Sequence, residues 1–187
     1  ASSSTLGISQ GAAFGASFAI IVLGAGLQNQ TADAVTILNP YLISVCAFIS
    51  AMMSTFVIMG LAHFNKVTPE SMILAGVALS TLFSGATTLL QYFAADVKVA
   101  AVVFWTFGDL GRTSCREILI MTIVTGVAMA YFVYNRWNYN ALQNGEETAK
   151  GLGVSVERMR MTGMFICSLN AAVIVSFVGI INFIGLI

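Results

Sequence analysis

The side chains able to do acid–base or electrostatic work are few, and they are gathered. The 187-residue chain carries eight Lys and Arg, eight Asp and Glu and one His. Their densest group lies in ALQNGEETAKGLGVSVERMRMT, residues 141 to 162, which holds Glu146, Glu147, Lys150, Glu157, Arg158 and Arg160. Such residues on a glycine-broken stretch form no acid–base pair around a reacting centre; they put charge on a turn. No Gly-rich loop ending in Gly-Lys-Ser or Gly-Lys-Thr occurs, so the chain lacks the usual means of binding and hydrolysing ATP. His63 has no second ligand at metal spacing, and a solvated or interfacial role fits it better. Cys46, Cys115 and Cys167 are odd in number and far apart, which indicates neither a disulfide framework nor a thiolate metal site. The chemistry excluded is that of an enzyme: no catalytic residue and no metal ligand set is assigned.

The local pattern of the charged stretch predicts two short helices meeting at a bend. Asn144 is placed to cap a turn starting at Gly145, with Glu147 three residues later able to reach back in a capping box. Glu146 and Glu147 suit the positive end of that helix dipole. Gly151 and Gly153 permit the open backbone that ends it, and Ser155 is placed to cap a second helix through Glu157. A well-capped connecting loop satisfies the same pattern.

Composition says where that stretch sits. Hydrophobic residues make up 58% of the chain and charged ones 9%, with a mean hydropathy of +0.89. A chain of this size has too much apolar surface for a globular interior, and it belongs in a bilayer. Zero net charge and the lack of a basic cluster exclude nucleic acid as a partner. Residues 8–27, 41–62, 71–93, 118–134 and 161–187 contain no Asp, Glu, Lys or Arg. Each approaches the ~20 residues a helix needs to cross the hydrocarbon core, which gives an all-α, polytopic protein with about five transmembrane helices. No acid or base lies inside these spans, against an ion-coupled carrier. The connectors alternate, and the second and fourth hold Lys66, Arg136, Lys150, Arg158 and Arg160, against Lys98, Arg112 and Arg116 in the third and none in the first. The positive-inside rule places the second and fourth, and so the 141–162 loop, in the cytoplasm.

The remaining connectors and faces carry weaker signals. In the third connector, 94–117, the run between Asp96 and Asp109 is too apolar for a plain loop and too short to span, as re-entrant or interfacial segments are. Phe104, Trp105 and Phe107 suit the headgroup boundary. Gly11, Gly15 and Ala19 repeat every four residues, a face for close helix contact. Gly76, Ser80, Ser84, Thr87 and Gln91 line one face of the third span, either as helix packing or as a weakly polar pathway wall. Thr68, Pro69 and Glu70 make a good helix start. Asn170 and Asn182 lie in the last span and need partners across helices.

Four ordered motifs resemble the FecCD-type permeases, which include the vitamin B12 permeases and are the membrane subunits of ABC importers for iron-siderophores, haem and B12. They are LGISQGAA at Leu6 to Ala13, LAGVAL at Leu74 to Leu79, GIINFIGLI at Gly179 to Ile187, and the charged loop from Gly145 to Arg160. Ile180 and Asn182 depart from the Pro and Gly usual in the third. The resemblance covers essentially the whole chain. It implies an internal part of a longer permease domain over residues 1–187, with a cytoplasmic coupling loop at 141–162 and an external gate segment at 94–117. By the same resemblance, Gly145, Glu146, Glu147, Ala149, Leu152, Gly153, Glu157 and Arg158 dock into an ATP-binding cassette subunit. Thr68 and Ser71 are gate candidates, Ser80, Ser84, Thr87 and Gln91 line the pathway, and Phe104 and Trp105 stand at the external gate. The resemblance also implies a second permease subunit, a homodimer at full length, an external substrate-binding protein, and the inner membrane of a prokaryote. The chain itself is expected to bind no cofactor, ATP and magnesium being held by the partner ATPase. The alternative is a helical membrane assembly module that transports nothing.

Overall fold

The computed structural model describes residues 7–25, 40–65 and 69–180. These residues fold into α1 (Ile8–Ile21), α2 (Pro40–Asn65), α3 (Pro69–Tyr92), α4 (Asp96–Thr106), a 3-10 turn at Leu110–Arg112, α5 (Cys115–Tyr134), α6 (Arg136–Gln143), α7 (Glu146–Gly151) and α8 (Val156–Val178). The all-helical expectation holds. Among the described residues, four helices are long and apolar enough to cross a membrane, over Tyr41–Leu61, Met72–Tyr92, Cys115–Tyr134 and Val156–Val178.

The first expected span differs. Helix α1 covers only Ile8–Ile21, 14 residues, or about 21 Å at 1.5 Å per residue. Its N-cap, Gly7, has φ 68°, and a Cβ there would lie 3.1 Å from the Ser54 hydroxyl and 3.3 Å from the Gly76 carbonyl. From Ser54 to Asn65, α2 continues for about 16 Å, so α1 begins partway down the bundle. It is also the best-buried helix, the one the others pack around. Its Ala12, Ala16 and Ala19 are inaccessible, and a side chain at Gly15 would strike the Cys46 carbonyl of α2. The repeat of small residues therefore does what its spacing predicts, letting two backbones approach closely.

The outer helices show the opposite pattern. Helix α5 buries only Ala128, leaving residues such as Leu119, Ile123 and Val127 open. Outward-facing side chains of that type are suited to hydrocarbon. One polar pair joins α5 to α8 on an exposed face: the Thr125 hydroxyl donates to Asn170 Oδ1 at 3.0 Å. That is the interhelical partner Asn170 requires. Asn182 lies outside the described residues.

Helix α5 starts with a true capping box, in which the Ser114 side chain receives the Glu117 N–H and Glu117 accepts from the Ser114 N–H at 2.9 Å. Helix α8 starts at Val156, directly after Ser155 as expected, but ends earlier than the expected span, at Val178, where Gly179 turns away with φ 86° and ψ −170°. Glu157 and Arg158 thus belong to its first turn.

Candidate functional site

The single helix α8 has a different attachment at each end. Its 23 residues span about 34 Å. At its N-terminal end lie α6, α7 and the charged turn; at its C-terminal end lies α4 with the 3-10 turn. The two stretches singled out in the sequence therefore sit at opposite ends of the bundle.

At the first end, α7 is a six-residue helix bounded by glycines. Gly145, with φ 111°, precedes it and no side chain caps it. The expected Asn144 cap is thus corrected: Asn144 closes the preceding helix α6, its amide Nδ2 donating to the Asn140 carbonyl at 3.2 Å. The N-cap position of α7 falls one residue later, on Gly145, which has no side chain to cap with. Helix α6 itself falls on residues the sequence pattern left unassigned. The far end of α7 closes as expected at Gly153, in a Schellman motif, whereas Gly151 stays in the helix. The Val154 N–H donates to the Ala149 carbonyl and the Gly153 N–H to the Lys150 carbonyl, both at 3.0 Å, with Gly153 at φ 80°. Ala149 is fully buried, whereas Leu152 is 68% exposed. Glu147, Glu157 and Arg158 are exposed with Gly145 and Gly153; the Glu146 side chain lies outside the described residues. Ser155 is the N-cap of α8 by position, without a side-chain cap bond.

Tyr139 and Gly163, neither marked by a sequence pattern above, tie α6 to α8 at this end. The Tyr139 hydroxyl donates to the Met159 carbonyl of α8 at 3.3 Å, and its ring lies 5.4 Å from that of Phe132. A Cβ on Gly163 would stand 2.5 Å from that hydroxyl. Burial, then the hydrogen bond and charge interaction with Tyr131, push the Tyr139 phenol up to about 12. An aromatic residue on the amphipathic stretch 136–143 was the available signal.

At the other end, α4 is a short apolar helix of 11 residues that rests on α1 and approaches the end of α8. The Lys98 ammonium donates to the Ile21 carbonyl at 2.8 Å, placing a cation at the negative end of α1. The Asp109 N–H donates to the Val178 carbonyl at 3.0 Å. A Cβ on Gly179 would lie 2.5 Å from the Trp105 carbonyl and 2.8 Å from Gly108 Cα. The segment is a strap fastened at both ends. Phe104 is 71% exposed, but Trp105 is 2% exposed, a correction to its expected place at the headgroup boundary. Trp105 fills the core beside Val102 and Ala172 because the strap lies across the bundle end.

The stripe on α3 divides. Gly76 is buried and Ser80 half-buried toward α1, with Ser80 donating to the Gly76 carbonyl at 2.9 Å. Ser84 is exposed, while Thr87 and Gln91 are half-buried; Thr87 donates to the Phe83 carbonyl at 2.8 Å. Packing therefore accounts for the Gly76 end, and Ser84 lies open. Thr68 and the side chains of Ser71 and His63 lie outside the described residues. Among the described residues no group of three His, Cys, Asp or Glu could hold a metal ion.

These features define a class: a polytopic helical membrane protein with a charged turn at one end and a short strap across the other. Residues 1–187 match the FecCD transport family throughout, and the chain belongs to that family, one of transport permeases and not of enzymes. It is 54% identical over its whole length to a protein of Methanocaldococcus jannaschii named as an ABC transporter permease, covering 53% of that protein. It is 31% identical over 185 residues, 98% of the chain, to the cobalamin import system permease of Halobacterium salinarum, covering 46% of it. It superposes along its full length on 56% of a metal-chelate type ABC transporter chain solved in an inward-facing conformation, with a TM-score of 0.83 and 24% identity. The chain thus spans about half the length of the curated relatives it matches.

Proposed function

We propose that this chain is part of the permease subunit of an ABC importer, in which a separate ATPase subunit grips the turn from Gly145 to Gly153. The observation that carries the proposal is an exposed, glycine-bounded, charged turn at one end of a bundle that is otherwise apolar. Closure of two ATPase subunits would press on this turn, and the helices rooted there would tilt, opening the pathway to one side at a time. ATP and magnesium would be held by the ATPase, and this chain would bind no cofactor.

The coupling contacts would come from Gly145, Glu146, Glu147, Ala149, Leu152, Gly153, Glu157 and Arg158. Ala149 would act from beneath as packing, since it is buried. On the opposite face, the strap with Phe104 and Trp105 would serve as the external gate. Ser80, Ser84, Thr87 and Gln91 would contribute pathway wall, and Thr68 and Ser71 a cytoplasmic gate. A ligand shifts an equilibrium only by its differential affinity for the two states, so weakly polar walls suit a carrier whose substrate recognition rests in an external binding protein. The substrate class would be a metal chelate, such as an iron-siderophore, haem or cobalamin. The subunit would work as a pair in the inner membrane of a prokaryote.

Co-purification tests the reading. Replacing Glu146 and Glu147 by alanine in the full-length subunit is expected to abolish its association with the ATPase while leaving membrane insertion intact. Unchanged association would favour a helical assembly module that transports nothing.

A further inference from the structure

Among the described residues, helix α8 makes noncovalent contacts at both ends of the bundle, with Tyr139 at one and Asp109 at the other. Helix α5 also runs between them, but with only Ala128 buried it has little to push against. A displacement of the charged turn can enter α8 through the chain at Leu152 to Ser155, through the packing of α7 on α8 around the buried Ala149, and through a side chain. The turn at Gly153 is closed by its own hydrogen bonds but has open space around it. The side-chain route is the one that reaches α8 with a hydrogen bond from α6. Tyr139 projects from α6, is braced by the Phe132 ring at 5.4 Å, and donates from its hydroxyl to the Met159 carbonyl of α8 at 3.3 Å.

The seat under that hydroxyl exists because residue 163 has no side chain. A methyl group there would stand 2.5 Å from the hydroxyl oxygen but 3.4 Å from the ring carbon bearing it. The first distance requires the hydroxyl to shift from its seat; the second is ordinary contact. At the far end of the same helix, the Val178 carbonyl accepts from the Asp109 N–H and Gly179 lies against the Trp105 carbonyl, so a moved α8 takes the strap with it.

We propose that Tyr139, seated on Gly163, is the positioning residue through which displacement of the 136–151 loop is passed to α8, and along α8 to the strap. The inference rests on the coupling role proposed above. It assigns no contact with substrate or nucleotide to either residue.

The test uses the full-length subunit assembled with its ATPase partner, in a background where Cys46, Cys115, Cys167 and every other native cysteine are replaced by serine. A Phe107→Cys reporter on the strap is labelled with a thiol reagent, with and without ATP. ATP is expected to change the labelling rate in the parent complex. Tyr139→Phe, which keeps the ring and loses one hydrogen bond, is expected to shrink that change about two- to tenfold, with ATPase association unaltered. Gly163→Ala is expected to shrink it at least as much, and Tyr139→Phe combined with Gly163→Ala no more than Tyr139→Phe alone, because the clash has been removed. Variants that respond to ATP as the parent does, or that only lower the amount of folded subunit, would overturn the inference and leave the coupling reading standing. A parent complex that assembles but shows no ATP-dependent change at the strap would likewise overturn the inference alone. Failure of the parent to bind the ATPase would sink both.

Discussion

The strap end and the loop end of the bundle are fastened by different means. At the strap, backbone meets backbone: Gly179 lies against the Trp105 carbonyl and Gly108, and the Asp109 N–H closes on the Val178 carbonyl. At the loop, Tyr139 reaches across to α8, and most of the turn beyond it is exposed and charged. Backbone contacts of the first kind cannot yield without shifting whole helices, whereas a side-chain seat can slide and a free turn can be grasped. The difference suits one end to being moved and the other to being pushed.

The largest effect that would break this comparison is at the glycines. Gly179→Ala must place a side chain at φ 86° and ψ −170° as well as against the Trp105 carbonyl. Backbone strain of that kind alone costs about 1–3 kcal/mol, and the collision adds to it. Gly153→Ala meets only the strain of φ 80°, with open space around it. Thermal unfolding of the full-length subunit is therefore expected to shift clearly more for Gly179→Ala than for Gly153→Ala. Equal shifts would mean that the strap is no more tightly fastened than the loop.

A smaller effect sharpens the loop end. Tyr139 has its phenol raised from 10.0 to about 12, chiefly by burial. Because the unfolded chain ionises first, the contribution of this group to stability is complete below pH 10 and is lost as the pH climbs toward 12. Ultraviolet titration of tyrosinate is expected to show a component near pH 12 that Tyr139→Phe removes. A titration unchanged by that substitution would leave the hydroxyl in water and the seat empty.

Much of the fold was legible because it rests on one-dimensional signals. Spans are read from the absence of charge, and Gly11 and Gly15 announce close packing by their spacing. The Schellman closure at Gly153 was likewise legible, because glycine in that backbone conformation is a local requirement. What escaped depends on partners distant in sequence. Asn144 looked like a cap until α6 claimed it, and Trp105 looked interfacial until the strap folded over α8. The start of α1 partway down the bundle depends on where Gly7 meets Ser54 of α2 and Gly76 of α3, partners distant in sequence. Tyr139 and Gly163 lie 24 residues apart, and only the return of α8 beside α6 brings them together. The Ser114–Glu117 capping box, by contrast, was present as a Ser-x-x-Glu pattern and could have been read.

The central claim is that the turn bearing Glu147 faces the cytoplasm and is gripped there by the ATPase. A Glu147→Cys thiol in the full-length subunit, with Cys46, Cys115, Cys167 and every other native cysteine replaced by serine, can be exposed to a membrane-impermeant reagent in vesicles of both orientations. The account predicts labelling only in inverted vesicles, where the cytoplasmic face is outward, and protection of that thiol when the ATPase subunit is added. Labelling from the external face, or labelling indifferent to the ATPase, would contradict it.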